Sequence, residues 1–453
     1  MLLYPNSKIY ILCAGGVQND SIELCHRLCS RLIRLGVDAK MVYVPVTENF
    51  NPDNPVHPAC KAFHVPYTYQ VEDISQNIMI VPETLNTYLY SVKKIRRVIW
   101  WLSVDNFFRD LALGTVAHFD KILTTPMAKF FCFQSYDADI EHWTQSEYAK
   151  KFLKVNGIPD EKIYHIGDFI SPTLIKLHNS VDLKAKKNIV VFNAATSSKI
   201  IPQLQKLVKN AEWTAYQDKS PAELPKLFAD AKVYVDFGDF PCKEMMPRRA
   251  AILGCVLVTG KRGSAGNSVD LNIPAEFKFG DAEDDAPNIA KKINEILSNF
   301  KSAYGKQKSF RDKIFGEKKN FEKNVSMTLG IKKEKSELEP AAIFNGLNET
   351  GVAVAEILSK NEVGLSISYV INDNPDNENN PELNITRNKD GVFITINENQ
   401  KLPVITSDDA RFLYNEGRIK KIILLTADKL EENFVKEKIN PLKDDIISTN
   451  FEE

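Results

Sequence analysis

The sequence predicts an α/β protein built as two successive three-layer halves, each a parallel sheet between helices, with a small α+β domain behind them. Three observations lead there. Short strands that are apolar throughout, such as Lys8–Cys13 (KIYILC), Val98–Leu102 (VIWWL) and Val233–Val235, alternate with helical patterns. Strands of this kind belong to parallel sheets covered on both faces. The strand–loop–helix–strand order restarts at Asn188–Asn193 (NIVVFN), soon after Gly167-Asp168-Phe169-Ile170. Past Leu329 the pattern changes to a charged run, an Asn/Asp-rich tract and a hairpin signal. At 453 residues the chain has room for two or three domains with full cores.

The first half, residues 1–168, opens with Lys8–Cys13, the loop Ala14-Gly15-Gly16 and an amphipathic helix from Ser21 to Leu35. Gly36 stops that helix, and Lys40–Val46 is the next strand, which completes a right-handed βαβ unit. Gly15-Gly16 departs from GxGxxG, so the dinucleotide fingerprint is missing. Two glycines still let a substrate group approach the backbone closely near a helix start; a plain tight turn needs them equally. Ile78–Val81, Val98–Leu102 and Ile122–Thr125 are further strands, and each ends in polar residues. Ile140–Thr144 leads to Ser146, a cap for the helix through Val155; Gly157-Ile158-Pro159 stops it, and Lys162–Ile166 is the last strand. Asp168–Pro172 reads as a hinge.

The second half, residues 169–330, begins with Asn188–Asn193, a helix opened by Ser197/Ser198 and running to Val208, and a strand at Trp213–Tyr216. Ser220-Pro221-Ala222-Glu223 is a capping-box start with proline at the first helical position. The segment from Pro287 to about Phe321 is helical, with apolar residues at Ile289, Ile293, Ile296 and Leu297. Residues 331–340, containing KKEKSELE, read as a linker. The remaining unit, residues 341–453, combines a helix at Val352–Leu358 and a strand at Gly364–Val370. A hairpin turning at Arg387-Asn388-Lys389-Asp390, a helix at Ser407–Tyr414 and a strand at Ile419–Leu425 complete it. It reads as a contact module for a partner, a second copy or an acceptor, or as a structural appendage.

A net charge of −1 excludes a general nucleic-acid binder, so charge must act locally. No apolar run approaches the ~18 residues of a membrane-spanning helix, and the start MLLYP lacks the features of a signal peptide. Seven cysteines without a CxxC pair read as reduced thiols in a cytoplasmic protein. Cys25 and Cys29 share one helical face with Ile22 and Leu32, which points to buried thiols and not to a metal site with His26. No metal is expected: Asp137-Ala138-Asp139 has the DxD letters but precedes a strand of the first half. His118 and His142 lie near strand ends and read as satisfied structural histidines.

The most informative stretch is Val233–Lys278. A strand ends at Asp236-Phe237-Gly238, and Pro241-Cys242-Lys243-Glu244 follows. A helix then carries Pro247-Arg248-Arg249-Ala250-Ala251, Gly254-Cys255 closes it, and a strand ends at Val258-Thr259-Gly260 before Arg262-Gly263-Ser264-Ala265. Both loops fall at the carboxyl ends of parallel strands, where such sheets bind ligands. Lys243, Arg248, Arg249, Lys261 and Arg262 concentrate positive charge there, which suits a phosphate or pyrophosphate. This order of blocks resembles the nucleotide-sugar domain of GT-B glycosyltransferases, above all a group of bacterial cell-surface polysaccharide transferases of the capsule or lipopolysaccharide type. The phrases VIWWLSVDN, WTQSEY and YHIGDFI in the first half resemble the same group, and the likeness spans about Lys8 to Leu329. Two positions depart from it. Cys242 stands where that group has glycine, and Arg249 where the wider superfamily has the glutamate that holds the donor ribose.

The resemblance implies two Rossmann-like domains facing a cleft, and transfer of a sugar from a nucleotide-sugar donor to a growing surface glycan. Fixed cations and amides can stabilise the diphosphate leaving group without a bound metal or other cofactor. Lys243 and Arg248 are the first candidates, followed by the Gly263 and Ser264 amides; Glu244, Arg249, Asn193 and Asp236 complete the donor-side set. The plain alternative is a solvated basic loop, with Arg249 on the outer helix face and Asp236 as a structural loop acid. An acceptor hydroxyl needs a proton acceptor. Asp105 is the first candidate and Glu83 the second, each equally able to cap the turn after its strand. Gly15 and Gly16 form the acceptor-side loop. The expected partners are the donor and a glycan or lipid-linked acceptor, with peripheral contact at the inner membrane face and self-association through the C-terminal domain as further expectations. Two other readings stay open: a nucleotide-sugar epimerase on the same architecture, and a non-catalytic relative that binds nucleotide or glycan, which Arg249 favours.

Overall fold

A computed structural model describes residues 2–448 apart from 47–49, 109–130, 134–136, 198, 281–283, 332–338, 361–364, 375–382, 389, 398–399 and 427. The expected strand at Ile122–Thr125, His118, most of the linker and part of the Asn/Asp tract lie outside the described residues.

Strands β1 (Lys8–Ala14), β2 (Asp38–Val44), β3 (Ile78–Pro82), β4 (Arg96–Trp101), β5 (Ile140–Thr144) and β6 (Ile163–His165) form one sheet in the order β2-β1-β3-β4-β5-β6. The pairs β1–β3, β3–β4, β4–β5 and β5–β6 are parallel. A second sheet, β7 (Lys187–Phe192), β8 (Glu212–Ala215), β9 (Ala231–Asp236) and β10 (Val256–Thr259), runs in the order β10-β9-β7-β8 and is parallel throughout. Ile9, Ile11, Ile80, Val98 and Ile99 are buried in the first sheet, and Val190, Val191, Val233, Val235 and Val258 in the second. Burial on both faces of each strand is what the unbroken apolar runs require.

Helix α1 (Asp20–Arg34) starts where the Asn19 side chain accepts from the Ile22 amide at 2.9 Å, and it ends before Gly36 at φ +78°. Helix α2 (Glu147–Val155) is capped by Ser146, whose hydroxyl accepts from the Ala149 amide at 3.1 Å. The expected helix to Val208 is broken into Ala194–Ser197 and Ile201–Leu207. Pro202 falls in the first turn of the second piece, where its missing N–H leaves no helical bond unmade. Helix α3 (Met245–Ile252) links β9 to β10. The expected closing helix is divided into α4 (Ala286–Ser298), a short helix Phe300–Lys306, and α5 (Lys308–Leu329), which stops at Gly330 with φ +64°. Lys186 ties the second sheet's layers together: its buried amine donates to the carbonyls of Phe228, Ala231 and Leu253 at 2.7–2.8 Å.

A third sheet holds β11 (Glu339–Phe344), β12 (Leu365–Ile371), β13 (Ile385–Asn388), β14 (Gly391–Asn397), β15 (Gln400–Ile405), β16 (Lys421–Leu424) and β17 (Ile446–Ser448). Its order is β13-β14-β15-β12-β11-β16-β17. The expected hairpin is present as antiparallel β13–β14, while β15, β12, β11, β16 and β17 run parallel. Helices α6 (Glu349–Lys360), α7 (Ser407–Glu416) and α8 (Lys429–Ile439) accompany it. Ala341, Ile343 and Val370 point into one core, and Ala342, Phe344 and Ile371 into another, so this sheet too is covered on both faces.

By compactness the chain forms two units. One contains Met1–Cys13, Val37–Val42 and Tyr67–Ile331, and so both smaller parallel sheets' principal strands. The other contains Ala14–Gly36, Tyr43–Pro66 and Lys332–Glu453. In the second unit, Arg31 of α1 donates to a carboxylate oxygen of Glu416 at 2.6 Å and to the Glu416 carbonyl, and all these groups are buried. Phe63 meets Phe412 edge-on at 4.9 Å in the same unit. No described helix is long and apolar enough to cross a membrane.

Candidate functional site

The loops after β9 and β10 lie at the carboxyl edge of the second sheet, as their place in the sequence requires. They are stitched together. The Ser264 amide donates to the Phe240 carbonyl at 2.9 Å, and its hydroxyl to the Cys242 carbonyl at 2.5 Å. Gly263 has φ +51°, and a Cβ there would lie 2.2 Å from the carbonyl oxygens of Asp239 and Phe240, so only glycine fits. Lys278 closes the second loop from behind, donating to the carbonyls of Ala265, Asn267 and Leu271. Burial lowers its pKa to about 8.

Lys243 and Arg248 are brought together, and each is met by acids. The Arg248 guanidinium is 1% exposed; it donates to Glu317 of α5 at 2.9 Å, to Asp168, and to the carbonyls of Lys243 and Glu244. The Lys243 ammonium, 14% exposed, lies 2.6 Å from Glu317 and 3.5 Å from Asp168. Two cations and two carboxylates therefore form a neutral quartet. Burial alone would lower the Arg248 pKa, but Asp168 and Glu317 outweigh it and raise it above the usual arginine value. Burial likewise pushes Asp168 up, and Arg248 with Lys243 reverses this to hold it below the usual carboxylate range. His165, next to this cluster, is lowered by burial and then by Lys243.

The first sheet's loops reach the same place. The Gln145 amide oxygen accepts from the Lys243 amide at 2.9 Å, and its nitrogen donates to Asp168 at 3.1 Å. Asp270 accepts from the Glu147 and Tyr148 amides at 2.8 and 2.9 Å, which caps α2 from the second half. Phe240, Lys243, Glu244, Pro247, Arg248, Ser264, Asp270, Leu271 and Phe310 enclose only about 10 Å³. That is at the lower limit for one water molecule.

The other candidates are distributed as follows. Asp236 is buried and satisfied: one oxygen accepts from Thr196 at 2.7 Å and the Gly238 amide at 3.0 Å, the other from Asn193 at 3.1 Å and Tyr234 at 3.0 Å. Asn193 thus serves to join the ends of β7 and β9. Glu244 begins α3 and accepts from the Cys242 thiol at 3.2 Å. Arg249 is half-buried on α3, with a donor 3.7 Å from the Met245 sulfur. Arg262 is exposed and pairs with Asp239 at 3.1 Å. Asp105 is partly exposed and accepts from the Tyr148 hydroxyl at 3.0 Å; burial first and Asp105 second push that phenol up to about 12. Glu83 is buried and accepts from the Leu102 amide at 2.8 Å, joining β3's end to β4's. Gly15 and Gly16 belong to the other compact unit. Their amides donate to the carbonyls of Val44 and Pro55, and Phe50 fills the space a Gly15 side chain would need.

Sequence reasoning missed Glu317, Asp270 and Tyr148 as site residues and read Asp168 only as a hinge. Glu317 sits in a helix crowded with lysines and glutamates, where no local pattern singles it out. Asp168 ends a strand next to glycine, the position in which ligand-edge acids are found, so its signal was present.

The chain is similar in structure to Alr3699/HepE from Anabaena, solved in complex with UDP-glucose, at 12% identity over 71% of this chain and 99% of that one, with a TM-score of 0.45. It is also similar to sucrose-phosphate synthase from Thermosynechococcus elongatus, at 13% identity, 71% and 98% coverage and a TM-score of 0.48. A third similar structure is WaaG, a glycosyltransferase involved in lipopolysaccharide biosynthesis, at 9% identity, 70% and 99% coverage and a TM-score of 0.43. No family model matches the chain, and no curated protein matches it.

Proposed function

We propose that the chain is a metal-independent glycosyltransferase of the GT-B kind, moving a sugar from a nucleotide-sugar donor to a surface glycan. The observation that carries this reading is the gathering of Lys243 and Arg248 about Glu317 at the carboxyl edge of a parallel sheet, with the Lys243 loop also gripped by the first sheet's Gln145. Arg248 is too buried to meet the donor directly; it fixes the Lys243 carbonyl and holds Glu317 and Asp168 in place. Lys243 exchanges its bond to Glu317 for the diphosphate, and movement about Asp168–Pro172 opens the room that 10 Å³ does not offer. The ammonium then stabilises charge on the leaving diphosphate. Asp105, accepting from Tyr148, takes the acceptor hydroxyl's proton, with Glu83 holding the adjacent strand end.

The test is titration of the full chain with UDP and GDP, together with donor hydrolysis and transfer assays. Lys243→Ala should weaken diphosphate binding by about 1–3 kcal/mol. Glu317→Gln should strengthen it, because one competing negative charge is gone. Unchanged affinity in a folded Lys243→Ala protein would sink the donor site. A non-catalytic relative is the second reading, favoured by the neutral quartet and by Arg249 on α3. It predicts nucleotide binding without hydrolysis or transfer, while isomerisation of the donor would indicate an epimerase.

A further inference from the structure

The third sheet has its own ligand geometry. Its five parallel strands run β15-β12-β11-β16-β17, so the chain winds from β11 outward through β12 and β15, then returns to the other side of β11 for β16 and β17. The reversal falls between β11 and β16, and doubly wound sheets bind ligands at the carboxyl ends of strands at such a point. An open crevice of about 570 Å³ lies there. Phe344 and Asn345 come from the end of β11, Asn372, Asp373 and Asn374 from the end of β12, and Leu430, Glu431 and Phe434 from α8, which follows β16.

We propose that this crevice binds a neutral saccharide. Its lining joins an apolar wall to hydrogen-bonding groups. Phe344 and Phe434 have ring centroids 5.7 Å apart, and Leu430 and Phe434 are 77% and 38% exposed, an unusual exposure for side chains facing one hollow. The polar side is built and held. Asn345, at φ +51°, donates to Glu431 at 2.9 Å, and Thr426 donates to the other Glu431 oxygen at 3.1 Å. Asp373 accepts from the Ser407 amide and hydroxyl at 2.6 and 2.8 Å, fixing it against the start of α7.

The charge pattern selects the ligand. Among the described residues, two carboxylates and no Lys or Arg line the crevice, so a phosphate would meet repulsion. Lys438 lies over the Phe434 ring, 5.9 Å from its centre, and not on the lining. No described group of His, Cys, Asp and Glu side chains could hold a metal ion. Hydroxyl donors suit carboxylate and amide acceptors, with charge-assisted bonds the stronger. A pyranose ring adds a C–H face that packs on an aromatic ring. The volume lies within the range of small-ligand sites. This inference stands apart from the donor site, whose residues belong to the other compact unit.

The experiment is saturation-transfer NMR and titration calorimetry on the full chain with cellobiose, maltose, lactose and N,N′-diacetylchitobiose, and with adenosine and inorganic phosphate as contrasts. At least one disaccharide should bind, and both Phe434→Ala and Glu431→Gln should weaken it tenfold or more. UDP affinity should be unchanged in those variants, and Lys243→Ala should leave disaccharide binding intact. The proposal is overturned if none of the four binds, if binding survives both substitutions, or if adenosine or phosphate binds there instead.

Discussion

Arg248 illustrates how a residue that sequence places among the donor-binding cations, on a helix, becomes part of a core. Its guanidinium satisfies two carboxylates and two carbonyls at once. Arg248→Met should therefore cost about 3–5 kcal/mol in chemical denaturation, because Asp168 and Glu317 are left buried with one cation between them. Lys243→Ala, at a more exposed position, should cost clearly less; equal costs would contradict this division of roles. A histidine supplies the pH prediction. His142 Nδ1 accepts from the Trp101 indole at 3.0 Å, and burial lowers its pKa from 6.5 to about 3. The unfolded state then binds more protons between those values, so the stability of the neutral form is fully present above about pH 6.5 and is lost as pH falls. At pH 5 this one group should remove about 2 kcal/mol. His26 and His165, also lowered by burial, act in the same direction. His142→Leu should flatten the acid limb of stability against pH, and an unaltered limb would count against the assignment.

At the scale of elements, the parallel sheets were readable because their strands are apolar on both faces and need no partner to be recognised. β1, β4 and β9 fall within a residue or two of expectation, and the alternation with helices determined the layer order. The misses share a cause. β11 (EPAAIF) carries two alanines and a proline and lies against a charged run, so its central place in the third sheet comes from its neighbours and not from its own pattern. β15, β17 and α8 were overlooked for similar reasons, being short or heavily charged. The site was half legible. Loop positions followed from strand ends, whereas the acids that neutralise its cations lie 69 and 80 residues from Arg248 in the chain. Gly263 gives the element-scale prediction. Gly263→Ala must relieve contact with two carbonyl oxygens and accept a left-handed backbone, at about 1–3 kcal/mol or more. Hydrogen exchange should then rise in both loops, 237–244 and 260–266, and not elsewhere. A rise confined to the second loop would show that the two are independent.

For the whole molecule, the division into units does not follow chain order. Residues 14–36 and 43–66 belong with 332–453, through contacts such as Arg31 with Glu416 and Phe63 with Phe412. Removing residues 332–453 takes from Arg27 and Arg31 their common carboxylate and opens an apolar face. The shortened chain should melt lower and aggregate; full solubility with an unchanged melting temperature would show that the early segments are self-sufficient. The same arrangement bears on how the protein emerges from the ribosome. Gly36 and Lys332 are separated by nearly 300 positions, so at about 5–20 residues per second the first helix waits roughly 15–60 s for its companions. During that interval the Arg27–Arg31 face of α1, which ends against Glu416, is open to whatever binds nascent chains, so slowing synthesis should lower the yield of native protein at unchanged final stability.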